Sequence, residues 1–284
     1  MEGLKVRTVS SVSGGKTSAY MAAHYPTDEV VFALVIIDHA PSAPKDSGLV
    51  AEIKDRLPNF IASHEEDKTL RAVLELEQYL GRSIIWVSSE FALERYCLGT
   101  TDLPGYRSSR QLFNSRTRFC TVEQKIRPIA QYLRQTQKND EPVLMDIGFR
   151  FDEHQRVENW KCSNDRIKFP KSCSLKTKKV SYDETEWRTT NFPLYTDRIN
   201  KADVRDFWAG KIDFPEISNC RFCPMHSDTQ LQRQAVNHPE NLDWWIELEE
   251  ISGHSFGDQF LKERLAQTLI PGLYQTDTPC GCTD

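Results

Sequence analysis

Residues 5–25 read KVRTVSSVSGGKTSAYMAAHY. The first part is rich in β-branched residues, which favour extended backbone. Ser13-Gly14-Gly15 then breaks the strand, and Ala, Met and Tyr recur at helical spacing from Lys16 onward. A strand that runs through a glycine turn straight into a helix commits the chain to a βα opening unit. Residues 29–38, EVVFALVIID, form a near-continuous apolar run. Such a run suits a parallel strand covered on both faces. Further strands are expected at SIIWVSS and at EPVLMDIGF, residues 141–149. Helices are expected at GLVAEIKDRL, at DKTLRAVLELEQYLG with Gly81 as its stop, and at VEQKIRPIAQYLRQ.

This alternation predicts an α/β domain over residues 1–200, with a mostly parallel, doubly wound sheet. Beyond it, KADVRDFWAG, PENLDWWIELEEIS and GDQFLKERLAQTL predict a C-terminal helical region over residues 201–284. Residues 88–120 read as loop. Residues 157–190 are polar and lysine-rich without clear periodicity, which predicts a long loop or flap.

With 284 residues, 39% hydrophobic and 27% charged, the chain can bury a full core. A formal net charge of −5 argues against coating nucleic acid by bulk charge, but not against a local basic groove. No apolar run approaches bilayer thickness. The opening residues MEGLKVRTV lack the basic, apolar, small order of a signal peptide. The expectation is a cytoplasmic chain. In a reducing compartment its eight cysteines are thiols or metal ligands rather than disulfides.

A glycine turn at the start of a helix presents backbone N–H groups and the positive end of the helix to a phosphate. Ser13, Gly14, Gly15, Lys16, Thr17 and Ser18 are the candidate ligands. Gly15-Lys16-Thr17 fits the end of a Walker A loop, but that loop requires glycine at position 10, where Ser10 stands. A Walker loop and a ligand-free turn are the competing readings. Phosphoryl or sulfuryl chemistry needs cations, and Lys16, Arg150 and Arg156 are the catalytic candidates, with Lys125 behind them. Asp38 and His39 end the second strand. Cys220-Arg-Phe-Cys223 has the spacing at which two thiolates grip one zinc, one iron–sulfur cluster or one redox pair.

SGGKTS resembles the SGGxDS loop of the N-type ATP pyrophosphatases, with Thr17 where that family has Asp. RFCTVEQKIRPI resembles the R-x-C-T-x-x-x-K-x-x-P segment of the group like phosphoadenosine-phosphosulfate (PAPS) reductases, with Cys120, Lys125 and Pro128. DIGFRFDEHQR is similar to G-I-R-x-D-E-x-x-R at Gly148, Arg150, Asp152, Glu153 and Arg156, with Phe149 in place of Ile. FPLYTDRINKADVRDFW matches a further motif at Pro193, Leu194, Asp203, Val204 and Phe207, without its middle Trp. NCRFCP stands where the family often carries Cys-x-x-Cys. These matches run in order from Ser13 to Pro224.

The resemblance implies an adenine nucleotide alpha hydrolase-like fold. It implies ATP or adenylyl-sulfate at residues 13–18 and Gly148, Mg²⁺ beside it, and adenosine near Asp38. A [4Fe-4S] cluster would be held by Cys120, Cys220 and Cys223, with zinc as the alternative. The pair of cysteines that some relatives carry is broken here by Phe119. A fourth ligand would come from Cys97, Cys162, Cys173 or the tail. The implied activity is adenylation of an acceptor with release of pyrophosphate, followed by sulfur transfer. A nucleic-acid acceptor, tracked by Arg107, Arg110, Arg116 and Arg118 with Tyr106, Phe113 and Phe119 between them, and a sulfur-donor protein are candidate partners; a solvated basic loop, or one that closes on the nucleotide, is the competing reading of those arginines. An oligomeric assembly is compatible with all of this. Two alternatives stand beside it: a reductase that releases sulfite through a tail thiol, Cys280 or Cys282, and a non-catalytic nucleotide-binding regulator.

Overall fold

Thr8–Val12 forms the first strand, β1, and helix α1 (Lys16–His24) leaves it through the Ser13-Gly14-Gly15 turn. The computed structural model describes residues 6–101, 110–137, 143–160, 165–173, 180–216 and 220–268. Next come β2 (Glu29–Leu34), β3 (Ile36–Ile37), α2 (Ser47–Arg56), β4 (Ala62–Ser63), α3 (Asp67–Leu80), β5 (Ile85–Ser88) and α4 (Leu93–Leu98). A short helix α5 (Phe119–Thr121) runs through a π-helical turn (Val122–Ile126) into α6 (Arg127–Thr136). Strand β6 (Val143–Asp146), helix α7 (His154–Glu158), and strands β7 (Arg166–Cys173), β8 (Val180–Glu186) and β9 (Arg188–Asn191) follow. Helices α8 (Pro193–Thr196), α9 (Lys201–Trp208), α10 (Asp228–Asn237), α11 (Pro239–Ser252) and α12 (Leu261–Thr268) complete the described chain.

Five strands form one sheet in the order β5-β2-β1-β6-β9, and every neighbouring pair is parallel. Parallel strands need crossovers, and these cover both faces with helices. On one face Val12 and Phe32 pack with Leu70 and Val73 of α3 and Trp208 of α9. On the other, Val9, Val31 and Met145 pack with Ile129 and Leu133 of α6. A third cluster joins Phe113, Phe119 and Phe222 to Trp245 and Phe256 beside the C-terminal helices. Full burial of an aromatic such as Phe32 contributes roughly 1.5–3 kcal/mol. Helix α3 ends as expected at Gly81, which adopts a left-handed φ of 62°.

Four expectations need correction. The apolar run 29–38 is not one strand. The main-sheet strand stops at Leu34, and Ile36–Ile37 pairs antiparallel with Ala62–Ser63. Residues 88–120 are not all loop, because α4 lies within them. The 157–190 segment contains the β7–β8 hairpin and β9, the fifth strand of the main sheet. Strand β8 shows no apolar period because most of its residues stay in contact with solvent. Helix α10, absent from the sequence reading, is capped by Ser227, whose Oγ accepts from the Gln230 N–H.

Candidate functional site

The chain leaves β1 toward β2 and β5 on one side and returns to β6 on the other. The gap between β1 and β6 is therefore the switch point of the sheet, where open α/β sheets bind ligands beyond their carboxyl ends. Two sequence-predicted segments meet there. The 13–18 loop follows β1, and Gly148 and Arg150 follow β6. A Cβ on Gly148 would stand 3.1 Å from Ser18 Cα and 3.2 Å from Ser18 N. Glycine at 148 thus lets the β6 loop lie directly on the first turn of α1. Gly14 has a φ of +81°, and a Cβ there would stand 2.4 Å from Thr69 Cγ2. Glycine is required at 14 by conformation and by space.

Inside the loop, Ser18 Oγ accepts from the Ser13 N–H at 3.0 Å and donates to the Gly15 carbonyl at 3.2 Å. These bonds fix the turn. The N–H groups of Gly14, Gly15, Lys16, Thr17 and Ser18 have no hydrogen-bond acceptor among the described residues. The first intrahelical bond here runs from the Ala19 N–H to the Gly15 carbonyl. Lys16 has no carboxylate partner among the described residues. Its carbonyl accepts from Trp208 Nε1 at 2.9 Å, so α9 braces the helix start.

Thr17 and Arg150 meet. Arg150 Nη1 donates to Thr17 Oγ1 at 2.8 Å, with Thr17 1% and Arg150 3% exposed. Arg150 Nε and Nη2 bond Asp152 at 3.0 and 3.3 Å. Glu153 accepts from the Arg150 N–H at 3.0 Å and pairs with Arg156. Arg156 also lies 4.2 Å from the Phe149 ring centroid. A chain of contacts therefore runs Thr17, Arg150, Glu153, Arg156. Arg150 is a buried brace of the loop, and Arg156 is its half-buried outer end.

A protein-bound Mg²⁺ does not fit this donor set. Magnesium takes hard oxygens. Thr17 Oγ1 and both Asp152 oxygens accept from Arg150, and Glu153 is engaged by Arg150 and Arg156. Asp146 lies 7% exposed and accepts from Asn191 Nδ2 at 2.7 Å; burial raises its carboxyl above the usual range.

Asp38 is exposed at the end of β3, and its N–H donates to Glu94. Burial, with the Asp38 carboxylate adding to it, pushes the Glu94 carboxyl up to about 7. His39 Nδ1 lies 2.7 Å from Ser42 Oγ.

Two of the three cysteine candidates, Cys120 and Cys220, lie beside Lys125. The π-helical turn, in which the Arg127 N–H reaches back to the Val122 carbonyl, carries Lys125 beside Cys120. Glu65 and Cys220 pair as an isolated bridge, and Lys125 Nζ lies 2.8 Å from the fully buried Glu65 carboxylate. Burial pushes Lys125 down, but Glu65 and the Cys220 and Cys120 thiols outweigh it and hold the ammonium above the usual lysine range. Burial pushes the Cys120 thiol up, and Lys125 and Arg118 partly offset this. Burial, with Arg221, Lys125 and His226 adding to it, takes His64 down to about 3. Thiolate sulfur is the donor a soft metal or an iron–sulfur cluster takes, and Cys223 stands three residues past Cys220. Among the described residues, no three Cys, His, Asp or Glu side chains converge closely enough to hold a metal ion. Cys97 is buried in the third core cluster. Cys162, Cys280 and Cys282, and the side chain of Cys173, lie outside the described residues.

The described residues of the expected nucleic-acid track divide between surface and core. Arg116 and Arg118 are exposed, and Arg110 Nη1 donates to the Ile251 carbonyl at 3.3 Å. Phe113 and Phe119 are core residues, 2% and 7% exposed, and offer no stacking face. Arg107 and Tyr106 lie outside the described residues. Thr69, Trp208, Glu65 and Glu94 were not singled out from sequence. Each acts through a long-range contact that no local spacing announces.

Together the fold and the site define an α/β protein with a glycine turn at the switch point of a parallel five-stranded sheet. Compared with protein-family models, curated proteins and solved structures, the chain has no match in any of the three. No described helix is long and apolar enough to cross a membrane.

Proposed function

We propose that this chain is a PAPS reductase-like ATP pyrophosphatase. It binds ATP or an adenylyl nucleotide at residues 13–18 and activates an acceptor by adenylation for sulfur transfer. One observation carries the reading. Five backbone N–H groups and the Lys16 ammonium, none with a partner among the described residues, gather at the first turn of α1 beside the switch point. Backbone donors and a lysine together suit the oxygens of a polyphosphate or sulfate.

In the proposed reaction an acceptor oxygen attacks the α-phosphorus, and the bond to the pyrophosphate oxygen breaks. The pyrophosphate leaves with the bonding electron pair, and its new charge is balanced by Lys16 and the helix N-terminus. Arg150 and Thr17 hold the loop in register, and Gly148 permits the close approach that joins them. Asp38 edges the adenosine side. Cys120, Cys220 and Cys223 would hold the iron–sulfur cluster, or zinc, beside Lys125. When bound, such a cluster supplies a carrier for sulfide. The fold reading that goes with this proposal is the adenine nucleotide alpha hydrolase-like arrangement.

The test is a product assay with ATP and adenylyl-sulfate supplied to one preparation. Pyrophosphate from ATP, abolished in Lys16→Ala, is the expected result. Sulfite from adenylyl-sulfate, abolished in Cys280→Ser or Cys282→Ser, would replace the proposal with a thiol-dependent reductase. Binding without turnover of either would leave a nucleotide-binding regulator.

A further inference from the structure

We infer that the anion site at residues 13–18 holds its nucleotide without a divalent cation bound by the protein, so that the metal-free nucleotide is the preferred ligand. The inference rests on the nucleotide-binding reading above and departs from the magnesium that the sequence resemblance implies.

The argument begins at Thr17, the altered position. An aspartate there would put a charged oxygen against Arg150, beside the loop. Threonine puts a neutral one, and its Oγ1 already accepts from Arg150 Nη1 at 2.8 Å in a pocket where Thr17 is 1% exposed. The neighbouring carboxylates are held in the same way. Asp152 lies across Arg150, and Glu153 lies between Arg150 and Arg156. The Ser13 and Ser18 hydroxyls lie 3.2 Å apart, and Ser18 also donates to the Gly15 carbonyl.

Two strand-end carboxylates remain: Asp146, 7% exposed and accepting from Asn191 Nδ2, and Asp38, which stands outside the main sheet. Val12 is level with Phe32, while the loop turns back at Ser13. Strand β2 ends at Leu34, and Asp38 follows Ile37 of β3, which pairs with β4 outside the main sheet. What faces a bound phosphate is therefore N–H groups, a helix N-terminus and Lys16. Every one of these favours negative charge. Magnesium cancels two charges of ATP and gains no protein ligand in return.

Titration calorimetry of the full chain with ATP, in EDTA and in excess magnesium chloride, tests this directly. The wild-type protein is expected to bind ATP in EDTA at least as tightly as with magnesium, and Lys16→Ala to weaken both about tenfold. Thr17→Asp adds a negative charge beside the first turn of α1, against Arg150 Nη1, and is expected to weaken binding in EDTA by less than Lys16→Ala does, with magnesium restoring it. Wild-type affinity that is tenfold or more better with magnesium would overturn the inference and leave the nucleotide-binding reading standing. No binding in either buffer would overturn both. The wild-type comparison decides the matter even where Thr17→Asp fails to fold.

Discussion

Arg150 Nη1 donates to Thr17 Oγ1 at 2.8 Å, across the switch point of the sheet. The bond joins the loop after β6 to the first turn of α1, and both residues are buried. Thr17→Val keeps the shape and removes this acceptor from the buried Arg150 Nη1, which keeps Glu153 at 3.6 Å. The expected loss is roughly 1–3 kcal/mol of stability. Thermal melts followed by circular dichroism would measure it. Thr17→Ser retains the acceptor and is expected to lose far less. Equal melting points for the valine and serine variants would remove the bond from the account.

Gly14 separates conformational strain from steric overlap. Its φ of +81° disfavours any side chain, by roughly 1–2 kcal/mol for alanine. The 2.4 Å approach of a Cβ to Thr69 Cγ2 adds an overlap. Gly14→Ala is expected to lower the melting temperature. Adding Thr69→Ser removes the offending methyl and is expected to recover only the overlap part. Full recovery would mean that the backbone angle costs nothing here.

These two contacts mark what the sequence made legible. The βα opening and its glycine turn could be read because Gly14, Gly15 and Lys16 sit between a β-branched run and a helical one. The resemblance grouped Gly148 and Arg150 with the 13–18 loop as candidates, and the fold lays both against the first turn of α1. Other features were not legible, for definite physical reasons. Strand β9, Arg188–Asn191, is polar in sequence, and its place is decided by pairing with β6. The break at Val35 is set by the pairing of Ile36–Ile37 with Ala62–Ser63. Phe113 and Phe119 sit among arginines in sequence, yet their rings belong to the third core cluster. Glu65 becomes notable only when folding lays it against Lys125 and Cys220.

Glu94 makes stability depend on pH near neutrality. Its folded pKa is raised from 4.5 to about 7, chiefly by burial. The protonated form is favoured in the fold, so this contribution is intact below about pH 4.5 and is lost as pH rises to about 7. Glu94→Gln keeps an acceptor for the Asp38 N–H and removes the charge. The variant is expected to melt a few degrees above wild type at pH 8 and close to it at pH 4.5. The same difference at both pH values would rule out titration of Glu94 as the cause.

Lys125 and Glu65 form a buried ion pair at 2.8 Å, with Glu65 wholly inaccessible to solvent. Removing one partner leaves the other charge stranded in a medium that solvates it poorly. Lys125→Met is therefore expected to cost roughly 3–5 kcal/mol. The pair Lys125→Met with Glu65→Gln removes both charges and is expected to recover much of that loss. Denaturant titration of the wild type, both single variants and the double variant yields the coupling between the two sites. If the double variant loses as much as the two singles added together, Lys125 is not held by Glu65. Its place beside Cys120 and Cys220 would then owe nothing to the carboxylate.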